Sequence, residues 1–104
     1  MKDILSEIIA HKKREVENKK EILPIKEVAK NMNVGSKAPL SLKAALLEST
    51  HGIIAEFKRK SPSKSWINQQ ANASIIPLQY EANGAAALSI LTDENYFGGT
   101  MSDL

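Results

Sequence analysis

Cysteine is absent from this chain, which rules out a disulfide frame and a thiolate metal site alike. Histidine is nearly absent. His11 and His51 stand far apart with no acidic cluster beside either, so both read as surface or helix-end residues and no metal centre is expected. Aromatics are scarce too: two Tyr, two Phe and one Trp are too few for a base-stacking nucleic-acid surface. No stretch approaches the roughly 18 consecutive apolar residues needed to span a bilayer, so no membrane role is expected. The opening MKDILSEII is polar and lacks a small-residue cleavage site, which argues against a secretory signal and for a cytoplasmic protein. Nor does charge of one sign dominate. Fourteen cations against 12 anions leave +2, too balanced a total to argue for nucleic acid.

What is present fits at most one soluble α/β domain, since 104 residues do not support two cores. Asp3 is placed to cap a first helix in which Ile4, Leu5, Ile8, Ile9 and Val16 form an apolar stripe. Its other face carries Lys12, Lys13, Arg14, Glu15, Glu17, Lys19 and Lys20, with Lys13–Glu17 and Glu15–Lys19 spaced to pair. Interleaved glutamates make this a solvated helix face rather than a basic arm. Pro24 opens a second helical segment with Ile25, Val28, Ala29 and Met32 at helical spacing. The turn chemistry of NMNVGSKAP makes 31–39 a loop. Ser41 caps a third short helix through about Leu47, stopped by Ser49–Gly52.

Residues 53–65 read IIAEFKRKSPSKS, an apolar run of strand length followed at once by cations and serines. A buried parallel strand is predicted over 53–57, with the charged cluster at its carboxyl end, where α/β proteins place ligands. Glu56 and Lys58 are two residues apart and therefore share a face of that strand. A carboxylate facing an ammonium there can hold and orient a lysine that does chemistry; it can equally be a plain salt bridge. Ser61–Ala71 reads as a long polar connection. A helix follows over about 76–82, with Pro77 tolerated in its first turn and Asn83-Gly84 as its stop. AALSIL, residues 86–91, is a second buried strand, and TDENYFGGT a loop. The strand–helix–strand run makes one βαβ unit. Two parallel strands cannot close a sheet or cover both of its faces, so the unit needs more protein around it or a copy of itself.

The string IIAEFKRKSPSKSW, followed by YEANGAAALSILTDENYFGG, resembles indole-3-glycerol-phosphate synthase, the tryptophan-pathway enzyme that closes the indole ring. The likeness includes the LSEIIAHKKREV opening and covers nearly the whole chain. It implies a (β/α)₈ barrel, of which this chain holds a helical extension (1–52) and the first two strands with their connecting helix (53–104). It further implies a cofactor-free, metal-free carboxy-lyase. The substrate is an anthranilate-bearing deoxyribulose 5-phosphate that cyclises, loses carbon dioxide and then loses water. By resemblance Glu56 and Lys58 are catalytic. Lys58 engages the anionic substrate and Glu56 organises proton transfers. Fixed ammonium groups suit a substrate with both carboxylate and phosphate. Arg59, Lys60, Ser61, Pro62 and Ser63 match the family's mobile loop after strand 1, and Ser61 is the loop residue expected to contact substrate. Phe97 matches an aromatic that packs on the substrate ring. Ser65 stands where many relatives have glycine.

A complete barrel takes about 250 residues. This sequence stops at MSDL, before the family's other catalytic lysine and the main phosphate loops. The expectation is an amino-terminal fragment, inactive alone, that either self-associates or meets a complementary barrel fragment. The competing readings are a non-catalytic, self-associating interaction module and a nucleic-acid binder resting on KRKSPSK. The latter requires steeply salt-dependent binding.

Overall fold

In the computed structural model, which describes residues 3–32 and 37–104, the chain divides into two units, 1–39 and 40–104. The first is helical. Asp3 starts α1 (Ile4–Ile22) by accepting the Leu5 N–H, as its side chain predicts. Pro24, which lacks the N–H a continuing helix needs, follows its last turn and leads into α2 (Ile25–Lys30). Met32 lies beyond that helix in the following turn, so the predicted apolar stripe ends one member early. Residues 33–36 of the predicted 31–39 loop lie outside the described residues. The polar face of α1 is paired in part within the helix. Glu15 accepts from Lys19 at 2.8 Å and Lys12 at 2.9 Å, and Glu17 sits 3.6 Å from Lys20. Hydrogen bonds from Lys19 and then Lys12 hold the Glu15 carboxyl down at about 2. His11, expected at the surface or a helix end, lies inside α1 and 3.7 Å from Glu15.

The second unit opens with α3 (Leu42–Glu48), capped by Ser41 Oγ accepting the Ala44 N–H at 3.0 Å. Ser49 Oγ accepts from the His51 and Gly52 amides and turns the chain into β1 (Ile54–Phe57). The next regular pieces are β2 (Lys60–Ser61), β3 (Ser65–Trp66) and α4 (Ile76–Ala82), then β4 (Ala87–Ile90) and α5 (Glu94–Phe97). A 3₁₀ turn over Met101–Asp103 completes the series. β1 and β4 pair in parallel with Ile54 opposite Ala87 and Phe57 opposite Ile90. Backbone bonds from Ala86 to Ile53 and from Leu91 to Phe57 extend the ladder to the bounds the sequence predicts.

Helix α4 crosses between the strands and touches both, giving an α/β arrangement. Pro77 is buried in its first turn, where no N–H is needed. Leu88 and Ile90 line a cleft with Pro77 and Leu78, so the face bearing Ala55, Phe57, Leu88 and Ile90 is the helix-covered one. Phe57, only 3% exposed, anchors it and contributes about 1.5–3 kcal/mol by its burial. Ile54, Glu56, Ala87 and Ser89 share the opposite face, on which Ile54 is exposed. Helix α3 belongs to this unit and touches β4.

Two stretches depart from the sequence reading. The predicted polar connection after β1 contains an antiparallel hairpin, Lys60 opposite Trp66 and Ser61 opposite Ser65. Strands of two residues are too short to leave an alternating pattern. After the hairpin, Asn68 and Asn72 side chains accept from Gln70 and Ser74 amides and keep the chain tightly turned. The predicted loop after β4 holds α5, started by Asp93 accepting the Tyr96 N–H at 2.8 Å and stopped by Gly98 at φ +67°.

Ser65 adopts φ +55°, the left-handed region. It follows Pro62, Ser63 and Lys64 in a hairpin whose geometry ordinarily takes glycine there. Ser65→Gly is expected to stabilise the unit by about 0.5–1 kcal/mol, read as a raised urea midpoint. A lowered midpoint would contradict strain at this position.

Candidate functional site

The basic run after β1 is divided among three directions. Lys58 stays on the Glu56 side, with its Nζ 3.2 Å from Glu56 Oε1. The alternation of an extended strand brings these two together, as the i, i+2 spacing predicts. They remain 36% and 48% exposed, so as a stabilising contact the pair is worth about 0–1 kcal/mol. It holds a cation and an anion in register at a strand end, at little energetic gain to the fold.

Arg59 turns the other way. Its Cζ stands 5.1 Å from the Phe57 ring centroid. Nε donates to the Ala71 carbonyl at 2.8 Å, and Nη1 to the Gly98 carbonyl at 3.0 Å. Nη1 and Nη2 then grip the Asp103 carboxylate as a fork, at 2.6 and 2.8 Å. The pair is largely out of solvent, 15% and 9% exposed. The Asp103 carboxyl is lowered, chiefly by the Arg59 hydrogen bonds and against its own burial; Arg59 is raised by the same contact. Asp103 also accepts the Thr100 N–H, closing a capping box on the 3₁₀ turn.

Lys60 takes the third direction, lying 5.2 Å above the Trp66 ring and donating to the Asn95 carbonyl. Ser61 is buried, and its Oγ accepts the Lys64 N–H at 3.2 Å, so its hydroxyl organises the hairpin turn. Phe97 is half-buried at the end of α5, one residue before the carbonyl that Arg59 holds. An open cleft of about 620 Å³, lined by Lys60, Trp66, Glu94, Gly98 and Thr100 among others, includes neither Glu56 nor Lys58. Among the described residues no group of three or more His, Cys, Asp or Glu side chains is arranged to hold a metal.

The structure thus brings Glu56 and Lys58 together and sets Ser61 and Phe97 on the two loops that follow β1 and β4. The sequence reading missed Arg59 as a structural hub and missed Asp103 altogether. The one local signal for Asp103 is the Thr100–Asp103 spacing of a helix-start motif, which does not disclose a partner 44 positions away.

Strands parallel across a helical crossover, with an ion pair at the carboxyl end of β1, define an α/β protein. The chain belongs to the indole-3-glycerol phosphate synthase family, a family of lyases in tryptophan biosynthesis, whose model matches residues 5–104. Over all of its residues it is 53% identical to the indole-3-glycerol phosphate synthase of Bacteroides thetaiotaomicron, of which it covers 40%. It is 42% identical to that of Opitutus terrae, again over the whole chain and 40% of the relative. With the Acidithiobacillus ferrooxidans protein of the same name it shares 39% identity, across 95% of the chain and 39% of the relative. The chain spans about two fifths of the length of these curated relatives.

Because the folded Asp103 carboxyl is held below its ordinary range, the ion pair contributes fully above the unfolded value. That contribution disappears as pH falls through the folded one. Asp103→Asn is expected to cost about 1.5–3 kcal/mol near neutrality. Urea titrations at a series of pH values should show that gap closing below about pH 4. A gap independent of pH would place the effect outside the ionised pair.

Proposed function

We propose that these residues form the amino-terminal portion of an indole-3-glycerol phosphate synthase barrel, with 1–52 as a helical extension and 53–104 as its first βαβ unit. The remaining strands are contributed by residues outside these 104. The reaction is ring closure of 1-(2-carboxyphenylamino)-1-deoxyribulose 5-phosphate with loss of carbon dioxide and water, without cofactor, in the cytoplasm. The observation that carries this reading is the half-exposed Lys58–Glu56 pair at the end of β1, 3.2 Å apart on the face α4 leaves uncovered. An ammonium fixed there is suited to hold a substrate carboxylate and to pass a proton to a departing hydroxyl. Glu56 orients that ammonium and takes part in proton transfer. Ser61 contacts substrate through its hydroxyl, which also accepts the Lys64 amide and lies 3.5 Å from Ser63 Oγ. Phe97 lies against the aromatic ring.

The uncovered strand face and the two outer sheet edges favour one further reading, in which copies of the chain, or a complementary barrel fragment, pair along those edges. Equilibrium sedimentation with and without substrate separates the cases. A homo-oligomer without affinity for substrate supports a non-catalytic module.

The purified 104-residue chain is expected to form no indole-3-glycerol phosphate from the synthetic substrate. Detectable turnover by the chain alone would overturn its dependence on further strands. In protein carrying the complete barrel, Lys58→Ala should lower kcat/KM by about 100-fold or more and Glu56→Gln by about 10-fold or more. Wild-type turnover in both variants would remove these residues from the mechanism.

A further inference from the structure

A single guanidinium touches both loops that carry the candidate substrate groups. Lys58 immediately precedes Arg59, and Phe97 immediately precedes Gly98, whose carbonyl accepts from Arg59 Nη1 at 3.0 Å. The same side chain reaches Ala71 in the turned segment after the hairpin and Asp103 in the 3₁₀ turn. An arginine in a KRKSPS string invites assignment as a phosphate ligand. Its geometry here argues otherwise. Of the five N–H donors an arginine owns, four are spent on protein oxygens, and the group is only 15% exposed.

We propose that Arg59 and Asp103 are a positioning pair that couples the Lys58 segment to the Phe97 turn, so that the two substrate contacts keep a fixed separation. The substrate side of this inference rests on the function proposed above; the coupling itself does not. Three observations support it. Two of the acceptors, on Ala71 and Gly98, are backbone atoms, so the guanidinium fixes main chain rather than side chains that can swing away. Asp103 is itself immobilised by the Thr100 amide, which makes it a rigid anchor. The cation also rests on Phe57, the best-buried side chain of β1, which ties the hub to the strand that presents Glu56. A lysine at 59 has no planar fork and cannot bridge these points at once.

The test uses Arg59→Lys, Asp103→Asn and the double variant, with three readouts. Amide hydrogen exchange is followed at Ile67, bonded to the Arg59 carbonyl, and at Gly98, bonded to Glu94. The Leu91 amide, bonded to Phe57 in the sheet ladder, is the control for global unfolding. Emission of Trp66, the single tryptophan of the chain, reports the packing of the hairpin beside Gly98. Binding of the carbonyl-reduced, non-cyclising form of the substrate is measured in protein carrying the complete barrel.

Each single variant should shift Trp66 emission and speed exchange at Ile67 and Gly98 together by about tenfold or more beyond whatever change in global stability Leu91 registers. Affinity for the reduced substrate should fall about 10- to 100-fold, with the double variant no worse than either single one. Arg59→Lys keeps a cation near Phe57 and decides the matter should Asp103→Asn unfold. Loosening of one loop without the other overturns the coupling. Wild-type affinity in variants whose loops have both loosened overturns the positioning role. Joint loosening in the variants, together with a wild-type barrel that never binds the reduced substrate, sinks the synthase reading and leaves the coupling intact.

Discussion

The second unit depends on where one guanidinium goes. A βαβ segment with only two strands has little interior, and among its described residues Phe57 is the most deeply buried large side chain. The loops leaving the carboxyl ends of β1 and β4 cannot be held by a core of that size. They are held by directed bonds from Arg59, which reaches three otherwise separate points of the chain: Ala71, Gly98 and Asp103. A planar fork suits this task because two parallel bonds to one carboxylate set its orientation as well as its distance. The low exposure of both partners keeps solvent from screening the contact.

The same hub explains why three consecutive cations do not behave as a basic patch. Lys58 lies with Glu56, Arg59 is consumed inside the loops, and Lys60 rests on Trp66 and the Asn95 carbonyl. Of the three, only Lys58 has its partner on the uncovered sheet face. A field that looks continuous in the sequence is therefore resolved in space into one wet ion pair and two structural cations. That division leaves placed charges rather than a diffuse positive surface.

Much of this was legible in the sequence, for identifiable reasons. The caps at Asp3 and Ser41, the first-turn Pro77 and the strand–helix–strand order all announce themselves within a few residues, and the structure agrees at each. The Glu56–Lys58 contact was legible because strand alternation fixes it locally. The hairpin at Lys60–Trp66 was not, since it needs a serine in a conformation serine seldom adopts and has strands too short to show a period. Helix α5 was hidden because its four residues look like a turn, although Asp93 does cap it. The Arg59–Asp103 fork was beyond reach for a different reason. Its partners are brought together only when two loops fold over the same strand ends, and no local propensity encodes that meeting.

At Gly99 the chain passes so close to itself that even one methyl group would strike the carbonyl oxygen of Leu91. Main-chain atoms cannot rotate aside as a side-chain tip can, so the position is closed to every other amino acid while the turn keeps its path. Heritable variation in this part of the molecule must accumulate around that point rather than at it. A laboratory library that varies this turn would gain by randomising the exposed neighbours Asn95 and Thr100 and leaving codon 99 untouched.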